Sequence, residues 1–164
     1  MKLGDIIRAD KSEVEIGGWN SGKIPSSAFK VKRRFPSGSD WEWRVITFKA
    51  LNRDFRVLLR LNLDKAYYSA ILSLESGSVI QVICHHEFHI SHRNWHCHFV
   101  AGDVTSTFPN VLRDRDRVRI FEAAPSEANH VQFAMNHAKA LAHALERYRI
   151  KPSAANDGQG EFKL

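Results

Sequence analysis

The chain has 164 residues, 43% hydrophobic and 26% charged, and carries a formal charge of +6 from 24 Lys and Arg against 18 Asp and Glu. That length can bury a core without staples, the composition excludes a disordered or fibrous chain, and only two cysteines, Cys84 and Cys97, exclude a disulfide framework. No apolar run has the length of a membrane span or a secretory leader, so the expected setting is cytoplasmic with no membrane partner. The basic balance points to an anionic partner, nucleic acid among them.

From about Val14 to Phe121 short runs rich in Val, Ile, Phe, Trp and Tyr alternate with Gly, Pro, Ser, Asn and Asp, a strand-and-turn pattern. Six or seven strands are expected: Ala28 to Phe35, Trp41 to Ala50, Phe55 to Leu63, Ala66 to Leu74, Val79 to His86, Trp95 to Ala101 and Arg117 to Ala123. The turns Pro36-Ser37-Gly38-Ser39-Asp40, Asn52-Arg53-Asp54 and Glu75-Ser76-Gly77-Ser78 are short, which favours antiparallel neighbours. Near the C-terminus Ala128, Val131, Ala134, Met135, Ala138, Leu141, Ala142, Leu145 and Tyr148 recur at helical spacing. Pro125-Ser126-Glu127 offers an N-cap, and Arg147, Arg149 and Lys151 precede the stop at Pro152. The expected fold is α+β, a mainly antiparallel sheet packed by one long C-terminal helix. Residues 1–151 form one domain in this reading, and residues 152–164, with little to bury, form a flexible tail.

Six histidines fall within the fourteen residues from His85 to His98: His85, His86, His89, His92, His96 and His98. Alternation over Trp95 to Ala101 sends Trp95, Cys97 and Phe99 to the core face, so Cys97 reads as a small buried hydrophobe, and puts His96 and His98 together on the other. The polar run Glu87 to Asn94 reads as a loop, which brings His85 or His86 across the hairpin towards that pair. Three readings stay open. The histidines can be solvated hairpin residues. They can ligate a divalent metal, with His96, His98 and a further His such as His85, Glu87 or Asp103 as ligands. Or His96, His98 and His86 can work without metal as catalytic acid and base.

Elsewhere, Lys30, Lys32 and Arg34 share one face of the first expected strand, and Arg56 and Arg60 lie opposite the apolar row Phe55, Val57, Leu59 and Leu61. Neighbouring strands of this kind would make a cationic face for nucleic-acid phosphates, or an ordinary solvated sheet face. The run Arg113-Asp114-Arg115-Asp116-Arg117 reads as a solvated turn. On the helix, His130, His137 and Tyr148 border the apolar stripe, with His143 beyond it.

The run Trp95-His96-Cys97-His98-Phe99-Val100 resembles the His-hydrophobic-His strand of the HUH endonucleases of plasmid replication and relaxation, and Tyr148-Arg149-Ile150-Lys151 resembles the Tyr-x-x-Lys helix of their rolling-circle members. The resemblance implies His96 and His98 as ligands of a divalent metal and Tyr148 as the nucleophile on a DNA phosphodiester. It spans two short motifs, with cysteine between the two histidines. A looser pattern, Phe55 to Asp64 followed by His96-Cys97-His98, is similar to small bacterial toxin-like proteins. The expected function is nucleic-acid binding or ribonuclease-like phosphodiester cleavage at the histidine hairpin. The alternatives are a non-enzymatic module for an anionic partner and a divalent-metal-binding protein.

Overall fold

The computed structural model describes residues 1–91, 95–122 and 134–152. A short helix α1 (Leu3–Arg8) precedes β1 (Ser12–Ile16) and β2 (Asn20–Ser21); then come β3 (Glu42–Ala50), β4 (Arg53–Asn62), β5 (Tyr67–Ser76), β6 (Val79–His89), β7 (Trp95–Val100), a 3-10 turn (Val104–Ser106), β8 (Val118–Glu122) and helix α2 (His137–Tyr148). The strands form one antiparallel eight-stranded open sheet in the order β1-β3-β4-β5-β6-β7-β8, with β2 also paired to β3. The architecture is α+β, as the pattern predicts.

Consecutive strands are neighbours because tight turns join them. Leu51 and Asn52 both take positive φ between β3 and β4, as a two-residue type I′ hairpin requires, one step before the expected Asn52-Arg53-Asp54 turn. At the β5–β6 turn Gly77 alone has positive φ, the II′ arrangement that suits a residue without a Cβ. β4 and β5 lie mid-sheet and are covered on both faces, so both read as nearly continuous apolar runs.

On one face Phe55, Val57, Leu59 and Leu61 of β4 meet Tyr68, Ala70, Leu72 and Leu74 of β5, and α2 lays Ala140, Ala144 and Tyr148 over them. Each large apolar side chain buried there stabilises the fold by roughly 1.5–3 kcal/mol. The helix begins at His137, where the Asn136 side chain accepts the Lys139 N–H at 2.8 Å; the expected cap at Ser126, and His130, lie outside the described residues, as does the tail beyond 152.

The opposite face is covered by chain without regular structure. Ala28 to Phe35 is not a strand: Phe29 and Ala28 donate back to the Pro25 carbonyl, and Lys32 N–H bonds the Asn110 carbonyl. The alternation that suggested a strand is real, because Phe29, Val31 and Phe35 point inward onto Leu58, Ile71 and Val82. It records one-sided burial of a strap and not a hydrogen-bonded ladder. Lys30, Lys32 and Arg34 are left exposed on it. Among the described residues no helix is long and apolar enough to cross a membrane.

Candidate metal centre

β6 reaches to His89, so Glu87, read from sequence as loop, is a strand residue. Its facing is set by a register irregularity: Leu72 pairs with Cys84, but the next residue, Ser73, pairs with Val82, leaving Ile83 as an extra residue on β6. Ile83 and Cys84 consequently both join the helix-side core, whereas Val82 belongs to the strap-side cluster. Beyond this bulge His85, Glu87 and His89 face the strap, and Cys84, His86 and Phe88 face α2.

β7 supplies the rest. Glu87 pairs directly with His96, and His85 with His98. Alternation places His96 and His98 on the strap side and Trp95, Cys97 and Phe99 on the helix side, with Cys97 buried against Cys84 at 3.3 Å between sulfurs. All four polar residues are buried, His98 the most open at 8% exposure.

The carboxylate of Glu87 is the centre. Oε1 lies 3.0 Å from His96 Nε2 and 3.2 Å from His98 Nε2, while Oε2 lies 3.2 Å from His85 Nε2. Arg113 also contacts Oε1, and the Tyr67 hydroxyl donates to Oε2 at 3.4 Å. Only His96 approaches Glu87 with hydrogen-bond geometry; Nε2 of His85 and of His98 are buried without a hydrogen-bond partner. Burial alone would raise the Glu87 pKa, but the imidazoles around it hold the carboxyl well below the usual range, and it is ionised. Burial lowers the pKa of His85, which favours the neutral, ligating form. Burial likewise pushes the Tyr67 phenol up and keeps it a donor.

Glu87, His96 and His98 form a buried cluster that could hold a metal ion, with one ligand atom each and all within 4.8 Å of one another. The spacing has a physical meaning. Four ligands at roughly 2.0–2.1 Å from a tetrahedral zinc stand about 3.3–3.4 Å apart; the carboxylate–imidazole separations of 3.0 to 3.2 Å are near that value, and the Glu87, His96 and His98 ligand atoms as a set lie within 4.8 Å.

Other expected site residues fall elsewhere. His86, expected as a catalytic partner, faces α2, stacked on Trp95 with ring centroids 5.0 Å apart, and burial lowers its pKa to about 3. Tyr148 is buried under the helix, donating to the Ala70 carbonyl at 2.8 Å, so the two motifs behind the HUH resemblance stand on opposite faces of the sheet. His137 pairs with Glu42 at 2.8 Å against Trp19, and Asp103 caps the 3-10 turn. His89 ends β6, its ring edge-on to His96 at 4.8 Å; His92 lies outside the described residues.

The basic residues form no shared face. Arg56 is tied to the Ser27 and Ala28 carbonyls and to Glu75. Arg60 is buried, its guanidinium over Phe35 at 4.5 Å and Trp41 at 4.4 Å. The strap that removed the first expected strand covers both. Arg113 and Tyr67 are the site residues that sequence reasoning passed over. Arg113 hid in a mixed-charge run, yet its neighbour Asp114 is buried, accepting from the Phe108 and Asp116 N–H groups and from Arg117. That knot fixes the loop that delivers Arg113.

Cavities flank the cluster on both sides. One of about 370 Å³ is lined by His85, Glu87, Tyr67, Arg33, Arg60 and Arg113; a second of about 570 Å³ opens at His98 and shares Arg33, Leu112 and Arg113 with the first. In comparisons with known proteins, no family model, no curated protein and no solved structure matches this chain.

Proposed function

We propose that this is a divalent-metal protein in which His85, His96 and His98, through Nε2, and Glu87 hold one ion. The observation that carries the reading is the convergence of three buried imidazole nitrogens on one buried carboxylate, two of those nitrogens lacking any other polar partner. Buried polar atoms without partners are costly, and an ion supplies a partner to each. Three imidazoles and a carboxylate suit zinc better than magnesium or calcium, which take oxygen ligands. When bound by all four side chains, such an ion would fill a closed tetrahedral site and supply folding stability, with Lewis acidity available only on expansion to a fifth ligand. The chain's own residues then divide the work: Arg113 and Tyr67 hold the Glu87 carboxylate, and the strap carrying Phe29, Val31 and Phe35 limits water access.

The test is metal analysis of protein purified without a histidine tag, incubated with zinc and desalted. About one ion per chain is expected, with loss of at least about tenfold in affinity for His96→Ala and His98→Ala. Protein that retains no zinc, or a double variant that retains as much as the parent, would overturn the reading.

The contact of Arg113 with Glu87 favours a second reading, because a guanidinium already balances the carboxylate charge. In it the site cleaves a nucleic-acid phosphodiester without metal: His96 takes the proton of the attacking hydroxyl, His98 protonates the leaving oxygen, and Arg113 stabilises charge on phosphorus. Cleavage of generic RNA that persists in chelator and disappears in His96→Ala supports it; absence of cleavage, or cleavage unchanged in both histidine variants, rejects it.

A further inference from the structure

Three guanidiniums, those of Arg33, Arg60 and Arg113, border the cavity of about 370 Å³ against a single carboxylate, Glu87. Arg113 is the one paired with that carboxylate. Arg33 and Arg60 stand near enough to repel one another. Like charges gathered at a half-buried site are unfavourable unless an anion completes it.

Arg60 is held ready for one. Its guanidinium lies over the Phe35 and Trp41 rings, 4.5 and 4.4 Å from their centroids, and 5.3 Å from the Tyr67 ring centroid. Its two hydrogen bonds, to the Tyr67 hydroxyl and the Pro36 carbonyl, are both long at 3.4 Å and leave its other N–H groups for a ligand. A stacked, buried guanidinium has already lost its rotamer freedom, so binding an anion orders little more. On Arg113, Nε is buried without a hydrogen-bond partner.

We infer that this cavity binds the phosphate group of a small phosphate monoester, with Arg33 and Arg60 on its oxygens and one oxygen turned towards the His85, His96, His98 and Glu87 cluster. The inference deepens the metal reading and rests on it for that last contact only. A phosphate monoester carries close to two negative charges near neutral pH, against a cavity lining of three guanidiniums and one carboxylate that is net positive even before an ion binds, and has three terminal oxygens to share among arginines and an ion. A carboxylate has one charge and two oxygens. The rest of the molecule meets Phe35, Pro36 and Leu112, and the cavity size lies at the small-molecule end of ligand sites.

The experiment is titration of phenyl phosphate, benzoate and a single-stranded RNA oligonucleotide into the full chain, zinc-loaded and chelator-treated, for the parent, Arg33→Ala and Arg60→Gln. Saturable phenyl phosphate binding is expected, at least about tenfold tighter than benzoate and weakened about tenfold or more in each variant, with zinc stoichiometry unchanged. Arg33 is exposed, so Arg33→Ala keeps the fold and decides the matter if Arg60→Gln does not fold. Binding that survives Arg33→Ala, benzoate binding equal to phenyl phosphate, or RNA binding tighter than both and dependent on Lys32 and Arg115 of the second cavity would each overturn the inference. Chelator separates the two proposals. Arg33-dependent phosphate binding by protein that retains no zinc upholds the anion site while the metal reading fails, and zinc binding without saturable phosphate binding does the reverse.

Discussion

Glu87 and His96 face each other directly across the β6–β7 ladder, carboxylate Oε1 3.0 Å from imidazole Nε2, both side chains buried on the strap side of the sheet. A lone carboxylate there would be unstable; this one is surrounded by three imidazoles and a guanidinium. Removing its charge leaves Arg113 facing neutral groups. Glu87→Gln is therefore expected to lower stability by about 1–2 kcal/mol, less than for a fully buried ion pair because the Arg113 side chain is 35% exposed and water can solvate the charge left behind. Urea unfolding of metal-free protein measures it, and an unchanged midpoint would show that the carboxylate is not paired as described.

Zinc binding at this cluster must appear as stability. A ligand at a thousand times its dissociation constant adds about 4 kcal/mol to the native state. Thermal unfolding with and without zinc should show a large upward shift for the parent and none for the His96→Ala, His98→Ala double variant. A shift of equal size in both would place the ion elsewhere.

His86 makes stability depend on acid for a separate reason. Burial against Trp95 lowers its pKa to about 3, whereas in the unfolded chain it returns to about 6.5. Between those values the unfolded state binds the proton more strongly, so this contribution is complete above pH 6.5 and is lost as pH falls towards 3. At pH 5 the loss from this group is about 2 kcal/mol. His86→Phe should shrink the stability difference between pH 7.5 and pH 5, measured by denaturant unfolding; an unchanged difference would mean that His86 does not titrate in this way.

Tyr148 is a structural anchor in this fold. Its hydroxyl reaches the Ala70 carbonyl at 2.8 Å, so Tyr148→Phe is expected to cost about 1 kcal/mol and leave metal affinity unchanged. DNA nicking by the parent that vanishes in Tyr148→Phe would contradict this placement.

The bulge at Ile83 gives a sharper check on facing. Val82 already faces the strap and Cys84 the helix, so deleting Ile83 leaves a regular strand with every later residue on its present face. The deletion should cost about 2–5 kcal/mol for the lost buried side chain and still bind one zinc. A folded deletion variant without zinc would show that the bulge shapes the cluster directly.

Much of the fold is legible in the chain. Six of the expected strands coincide with β3 to β8 because their turns are short and their apolar runs long. The first expected strand fails because Phe29, Val31 and Phe35 alternate for burial alone. β1 and β2 pass unseen since both are short, and β2 is wholly exposed. The described part of the expected helix starts at His137, where Asn136 caps it, and the expected start at Ser126 lies outside the described residues.

What the sequence determined by itself is local: alternation from Trp95 onward puts His96 and His98 on one face whatever else surrounds them. The choice of third histidine belongs to the tertiary structure. Strict alternation from Ile80 and Val82 would have carried His86 to the strap side; pairing with β5 inserted Ile83, reversed the phase, and brought His85 and Glu87 there instead. Arg113 and the strap over Arg60 arrive from distant chain positions, fixed by the Asp114 loop and by apolar contacts across the sheet. Period is written in neighbouring residues, but phase and convergence depend on which strands pair and what packs over them.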